Sequence, residues 1–456
     1  MSATALRPRP AIEPPARWRF PVPDRHRLDN GVTVFLHHLP GQHVATVICH
    51  LGIPADAEPE GCEGIAAVMA ASLFAGTQGI TARRFELEAA AAGITWKAGA
   101  GWTGPAITME LPAAHLADAL DLLRLALAEP AFQPAEVTAQ IQLTAARLTQ
   151  AAASPQARVK QELPAAIYGT GGRAGRPAEG TPATVARLAP EDIAGFCWEQ
   201  VRPAAATIVI AGDLDGLDAA ALASEALAGW TDNRPASRQP PAPEPLPRMH
   251  PAAVLVNQPG AVQTQLLLAA PVPGRGLPGW HELQVAAHIL GAPITGHLDA
   301  RLREDAGHSY GLRAGLTELV PGTGLLLAGG AVAAGATISA LTDIMDILTI
   351  PLRDPFDPGE HGAAVEAVTR MMPLDYETPA QVASTTAGLA ACGLPADFPD
   401  IVLDDIAVLT YQHVTGAYRS YFSPDRLVLI AAGDAAALAG PLQELAGDTP
   451  LQITAS

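Results

Sequence analysis

The stretch Arg202-Pro203-Ala204-Ala205-Ala206-Thr207-Ile208-Val209-Ile210-Ala211-Gly212-Asp213 has a counterpart in Ser423-Pro424-Asp425-Arg426-Leu427-Val428-Leu429-Ile430-Ala431-Ala432-Gly433-Asp434. Each copy sets a Pro before an apolar run that reads as a strand, ends it in Gly-Asp, and continues into an Ala/Leu-rich helix. The copies close the two halves of the chain, and self-similarity in that position reads as duplication. The sequence therefore predicts two α+β domains of similar fold.

The rest of each half fits that frame. In the first, Asn30-Gly31 turns into the β-branched run Val32–Leu36, and a second strand covers Val44–Leu51. Gly64–Phe74 is apolar nearly all round and predicts a buried helix. Helices follow over 82–93, 113–128 and 134–152, with a strand pair at 94–100 and 106–111. Residues 163–180 read as a loop, and Gly169-Thr170-Gly171-Gly172 within it as a mobile surface segment. A phosphate cradle there lacks its strand and its Lys-Ser/Thr.

Residues 233–250 are Pro-rich and polar, a semi-extended linker. Past them the pattern restarts with strands at 252–256 and 263–270, helices at 280–290 and 295–305, strands near 310–316 and 324–332, and helices at 336–350 and 359–371. The predicted layout is a flexible N-terminal arm over 1–24, a first domain over 25–232, the linker, and a second domain over 251–456.

Composition narrows the function. The chain has 456 residues, 49% hydrophobic and 16% charged, enough for two sizeable cores. Its 46 acidic against 28 basic residues give a net charge of −18. No basic stripe is visible for a nucleic acid, whereas an acidic surface suits solubility and attracts cationic peptides. Cys49, Cys62, Cys197 and Cys392 are scattered, which argues against a zinc ribbon or a disulfide framework. The first twenty residues lack an apolar targeting core, and no apolar run reaches membrane-spanning length. These features predict a cytoplasmic protein with no membrane partner.

Two stretches carry a family resemblance. Leu28-Asp29-Asn30-Gly31-Val32 and Gly64-Ile65-Ala66-Ala67-Val68-Met69-Ala70-Ala71-Ser72-Leu73-Phe74-Ala75-Gly76-Thr77 resemble the opening of the pitrilysin-type (inverzincin, M16) zinc peptidases. That family includes the mitochondrial processing peptidases and the core subunits of respiratory complex III. Its members read Gly-x-Ala-His-x-x-Glu-His-x-x-Phe-x-Gly-Thr here, and Gly64, Ala66, Phe74, Gly76 and Thr77 match that frame. The resemblance continues through Arg187-Leu188, Glu191-Asp192, Pro259–Gln265 and Leu302-Arg303-Glu304. It implies the LuxS/MPP-like metallohydrolase fold, with both domains forming one half of a clamshell.

The resemblance breaks at the metal. Two His one helical turn apart share a zinc, and the Glu between them takes the proton of the attacking water. Here the His positions are Ala67 and Ala71, the Glu position is Ala70, and the family's downstream Glu ligand falls near Ala146 or Arg147. Neither His37-His38, adjacent on a strand, nor His281 and His288, seven apart, replaces the site; these read as isolated or surface histidines. No metal or other cofactor is expected in this chain.

The second half keeps what the first has lost. Arg303 and Tyr310 match the family's paired Arg and Tyr, which in active relatives reach across the chamber toward the zinc. Gly307 is expected to end the helix, leaving Arg303 on its last turns and Tyr310 on the next strand. The resemblance thus implies the non-catalytic subunit of a two-chain peptidase. It would lend Arg303 and Tyr310 to the zinc site of a homologous partner bearing H-x-x-E-H, with a peptide as substrate and leader-peptide removal as one such task. The alternatives are a scaffold subunit without peptidase role and a stand-alone peptide-binding module.

Overall fold

The computed structural model describes residues 18–232, 234 and 252–454. Its strands are β1 (Asp24–Arg27), β2 (Thr33–His38), β3 (Val44–His50), β4 (Thr95–Gly101), β5 (Gly104–Pro112), β6 (Thr207–Gly212), β7 (Ala252–Asn257), β8 (Gln263–Pro273), β9 (Ser309–Val320), β10 (Thr323–Ala333), β11 (Val428–Gly433) and β12 (Leu451–Thr454). They form two six-stranded sheets, ordered β1-β2-β6-β3-β5-β4 and β12-β7-β11-β8-β10-β9. Five strands of each sheet correspond one to one, in order and in direction. β2 and β6 pair in parallel as β7 and β11 do, and the remaining pairs of the five are antiparallel in both. Only the sixth strand differs: β1 joins its sheet antiparallel and β12 joins in parallel.

The Gly-Asp signature has a physical role in both copies. Asp213 Oδ2 accepts the Gly41 N–H at 3.0 Å, and Asp434 Oδ2 accepts the Gly260 N–H at 3.0 Å. Both glycines lie in the left-handed region, at φ +83° and +72°. Each Asp pins the turn leading into the neighbouring antiparallel strand. A side chain at Gly212 would collide with the Val44 carbonyl, so the strand has to end in Gly.

The central strands are apolar on both faces, because each sheet is covered twice. Along β6, Ile208 and Ile210 enter the main core of the first half, whereas Val209 and Ala211 face the other way. That second face is covered by Val382, Ala383 and Ala387 of helix Pro379–Ala391, which belongs to the second half. The exchange is reciprocal. Val159, Leu163 and Ile167 of helix Pro155–Tyr168, from the first half, pack on Val254, Val256, Val428, Ile430 and Ala432 of the second sheet.

This exchange corrects the reading of 163–180 as loop, since its first residues complete helix Pro155–Tyr168. Pro164 and the glycines after it hid a helix whose partner lies in the other half. Residues 169–172 are exposed, and the segment is anchored beyond them at Arg173. The Arg173 guanidinium, largely shielded from solvent, binds the Glu58 carboxylate and the carbonyls of Arg176, Pro177 and Ala178. Helices Phe398–Val408 and Tyr411–Tyr421, absent from the sequence expectations, also complete the second half.

The predicted linker, Arg234 apart, and residues 1–17 of the predicted arm lie outside the described residues. From Trp18 on, the chain is anchored. Trp18 stacks on Tyr376 at 5.3 Å, and the Phe20 N–H reaches Asp400 Oδ1 at 2.8 Å. Among the described residues, one helical stretch, Ala334–Arg353, is long and apolar enough by composition to cross a membrane. Its Ala340, Leu341, Ile344, Ile347 and Leu348 lie in the second core.

Candidate functional site

Arg303 lies on a π-turn, Ala300–Asp305, that ends the helical segment begun at His297. Gly307 then reverses the chain at φ +63°. The His308 N–H closes the turn on the Leu302 carbonyl, six residues back, at 2.8 Å. The first half shows the regular version: there the Ile94 N–H reaches the Ala89 carbonyl, five residues back, at 2.8 Å. The second copy carries one more residue, taken up as the π-turn. Single π-turns cost helical hydrogen-bond geometry and recur at functional sites.

Tyr310 sits on a second irregularity. Opposite β10, Leu312 pairs with Gly330 but Ser309 pairs with Val332, so β9 bulges at 310–311. The Ser309 hydroxyl closes the bulge, donating to the Ala331 carbonyl at 2.7 Å and accepting the Gly311 N–H at 3.0 Å. The bulge leaves the Tyr310 side chain 90% exposed at the start of the outermost strand of its sheet. Arg303 is also exposed, its guanidinium 3.3 Å from its neighbour Glu304. A guanidinium and a phenol presented in this way can grip a peptide carbonyl and donate to a developing oxyanion.

The helix carrying the degenerate metal positions, Ile65–Ser72, starts at Gly64 with φ +96°. The Glu58 carboxylate caps it, accepting the N–H groups of Gly64 at 3.2 Å and Ala66 at 3.1 Å. Ala67 and Ala70 are buried and Ala71 is half-buried. The neighbouring helix Pro134–Ala152 carries Ala146 and Arg147, and Arg147 is occupied by Glu179 at 2.9 Å. The two helices are in place but present methyl groups and a cation. This donor set does not fit zinc, and no step can be routed through a metal on this chain.

The histidines sort themselves by strand face. His37 is buried at the seam between the halves and His38 is exposed on the opposite face, as their adjacency on a strand predicts. Among the described residues, His38, Asp213 and Asp215 bring donor atoms within 4.8 Å of one another. The ring's protonation rules against a metal there. His38 Nδ1 accepts the Leu214 N–H at 3.2 Å, so the neutral ring carries its proton on Nε2, facing Asp215 Oδ1 at 3.4 Å. His281 is tied to Asp405 at 2.9 Å.

Two family models match this chain. One, described as insulinase (peptidase family M16), covers residues 33–181, and the other, described as peptidase M16 inactive domain, covers 187–366. Both describe one family, and together they span more than half of the sequence. The chain belongs to peptidase family M16. Solved structures agree on the fold of this M16 chain. An M16 inactive domain from Pseudomonas fluorescens aligns at TM-score 0.77 and 18% identity, over 90% of this chain and 98% of that one. A protease from Helicobacter pylori aligns at TM-score 0.80 and 17% identity, over 91% and 100%. The first half of the periplasmic protease PqqL from Escherichia coli aligns at TM-score 0.77 and 15% identity, over 96% and 100%. No curated protein matches this M16 chain in sequence.

Proposed function

We propose that this chain is the non-catalytic subunit of a two-chain M16 peptidase, supplying Arg303 and Tyr310 to a zinc site held by a homologous H-x-x-E-H partner. The observation that carries the reading is the contrast between its two halves. The helix where the metal would sit offers Ala67, Ala70 and Ala71, while the second half presents Tyr310 and Arg303 to solvent from a bulge and a π-turn. Peptide binding and cleavage then belong to the complex, with leader-peptide removal as one suitable task. The four free cysteines fit a reducing compartment such as the cytoplasm.

The test is to tag the chain in its host, purify it gently and identify by mass spectrometry what accompanies it. A near-stoichiometric partner of similar length with an intact H-x-x-E-H is the expected result. Elution alone, or with an unrelated large assembly, would overturn the reading.

A further inference from the structure

The Asp299 carboxylate is fully buried, and both of its oxygens are engaged. Its Oδ2 accepts the Ile294 N–H at 2.9 Å and meets the Arg313 guanidinium at 2.7 Å, and its Oδ1 accepts the Leu312 N–H at 2.9 Å. Arg313 also donates to the Leu312 carbonyl at 2.8 Å, closing the arrangement. These contacts bracket the Arg303–Tyr310 segment. Asp299 stands one helical turn before Arg303, and Leu312 stands two residues beyond Tyr310 on β9. One side chain therefore clamps both ends of the excursion that holds the π-turn, the Gly307 reversal and the bulge.

The duplicated fold supplies its own control. Buried Leu298 and Leu302 in the second half occupy the places of buried Phe85 and Ala89 in the first, each pair four residues apart. In that correspondence Asp299 replaces Glu86, which is exposed on a regular helix. The fold is thus built once with this position in solvent and no clamp. Only the copy that bears Arg303 and Tyr310 buries the carboxylate. Burying it is costly unless it is paired and hydrogen-bonded, as it is here by one guanidinium and two backbone N–H groups. The arrangement also holds a strained residue: Ile294, β-branched, lies in the left-handed region at φ +70°.

We propose that Asp299, held by Arg313, is the positioning residue of the Arg303/Tyr310 pair, fixing the spacing at which the two side chains meet a peptide. This rests on the functional reading above, and its test has an arm that does not. In the full-length chain, Asp299→Asn keeps the shape but sets an amide group against N–H donors. Hydrogen exchange at Ile294 and across His308–Leu312 should then accelerate at least ~10-fold, with the amides of β3 and β6 unchanged. Arg313→Ala, which removes the cation paired with the buried carboxylate, should loosen the same amides and serves as the second variant should the Asn variant fail to fold. Unchanged exchange in this segment, or loosening spread evenly over both sheets, overturns the proposal.

The second arm uses the complex recovered from the host and a mixture of quenched fluorogenic peptides. Asp299→Asn should lower kcat by ~10- to 100-fold with little change in KM, and should cost nothing more in an Arg303→Ala, Tyr310→Phe background. An equal loss in both backgrounds makes Asp299 a general fold support and overturns the positioning role. If Arg303→Ala, Tyr310→Phe itself leaves turnover intact, the functional reading fails, and the exchange arm alone decides whether Asp299 orders the segment.

Discussion

His37 Nε2 lies 2.8 Å from the Thr386 hydroxyl, joining β2 of the first half to the helix that the second half lends it. Phe20 meets the same ring edge-on at 5.7 Å, so three distant parts of the chain converge on one imidazole. Burial depresses the His37 pKa to about 4, and does the same at His50. A ring held neutral in the fold but basic when unfolded gives the unfolded state more protons between pH 6.5 and about 4. Its contribution is fully present above that window, falls as pH drops through it, and levels off below.

The pH dependence of stability follows. Each buried ring should cost about 2 kcal/mol by pH 5 relative to neutral pH. Urea midpoints at pH 7.5 and 5 measure it, and His37→Gln should lose distinctly less than the parent. Parallel losses in the two proteins would show that His37 does not titrate in this way.

The exchanged helices make the halves one cooperative unit. Leu163→Ala opens the core between helix Pro155–Tyr168 and the second sheet, and should destabilise the protein by about 2–4 kcal/mol. Although Leu163 belongs to the first half, calorimetry should show one lowered transition. Two separated transitions would mean that the halves unfold independently.

Metal content is the simplest check on the degenerate helix. The isolated chain, exposed to zinc and desalted, should retain none in stoichiometric amount, because Ala67, Ala70 and Ala71 offer no donor. Zinc measured in the recovered complex should depend on the partner alone. Stoichiometric zinc on the isolated chain would contradict the exclusion drawn from its side chains.

Much of the fold was legible because its signals are local. The Gly-Asp repeat exposed the duplication, since each Asp acts on a turn that any copy of this fold needs. Helix Ile65–Ser72 showed itself by an unbroken apolar run, and Gly307 marked the end of the segment bearing Arg303. Long-range partners were not legible. Helix Pro155–Tyr168 contains Pro164 and finds its apolar surroundings on a sheet that begins at residue 252, so no window around it reveals a core. Nothing local in the sequence sets Asp299 apart from its exposed counterpart Glu86. The burial of Asp299 depends on Ile294 and Arg313, and the π-turn after it carries no local sequence signal.

The central claim is that the second half lends two side chains to a partner's zinc. It is tested most directly by turnover of quenched fluorogenic peptides by the recovered complex, comparing the parent with Arg303→Ala and Tyr310→Phe. Loss of a transition-state donor predicts a fall of about 10²-fold or more in kcat for Arg303→Ala, with assembly and zinc content unchanged, and a fall in kcat for Tyr310→Phe as well. Full turnover by both variants in an intact, zinc-loaded complex would contradict it.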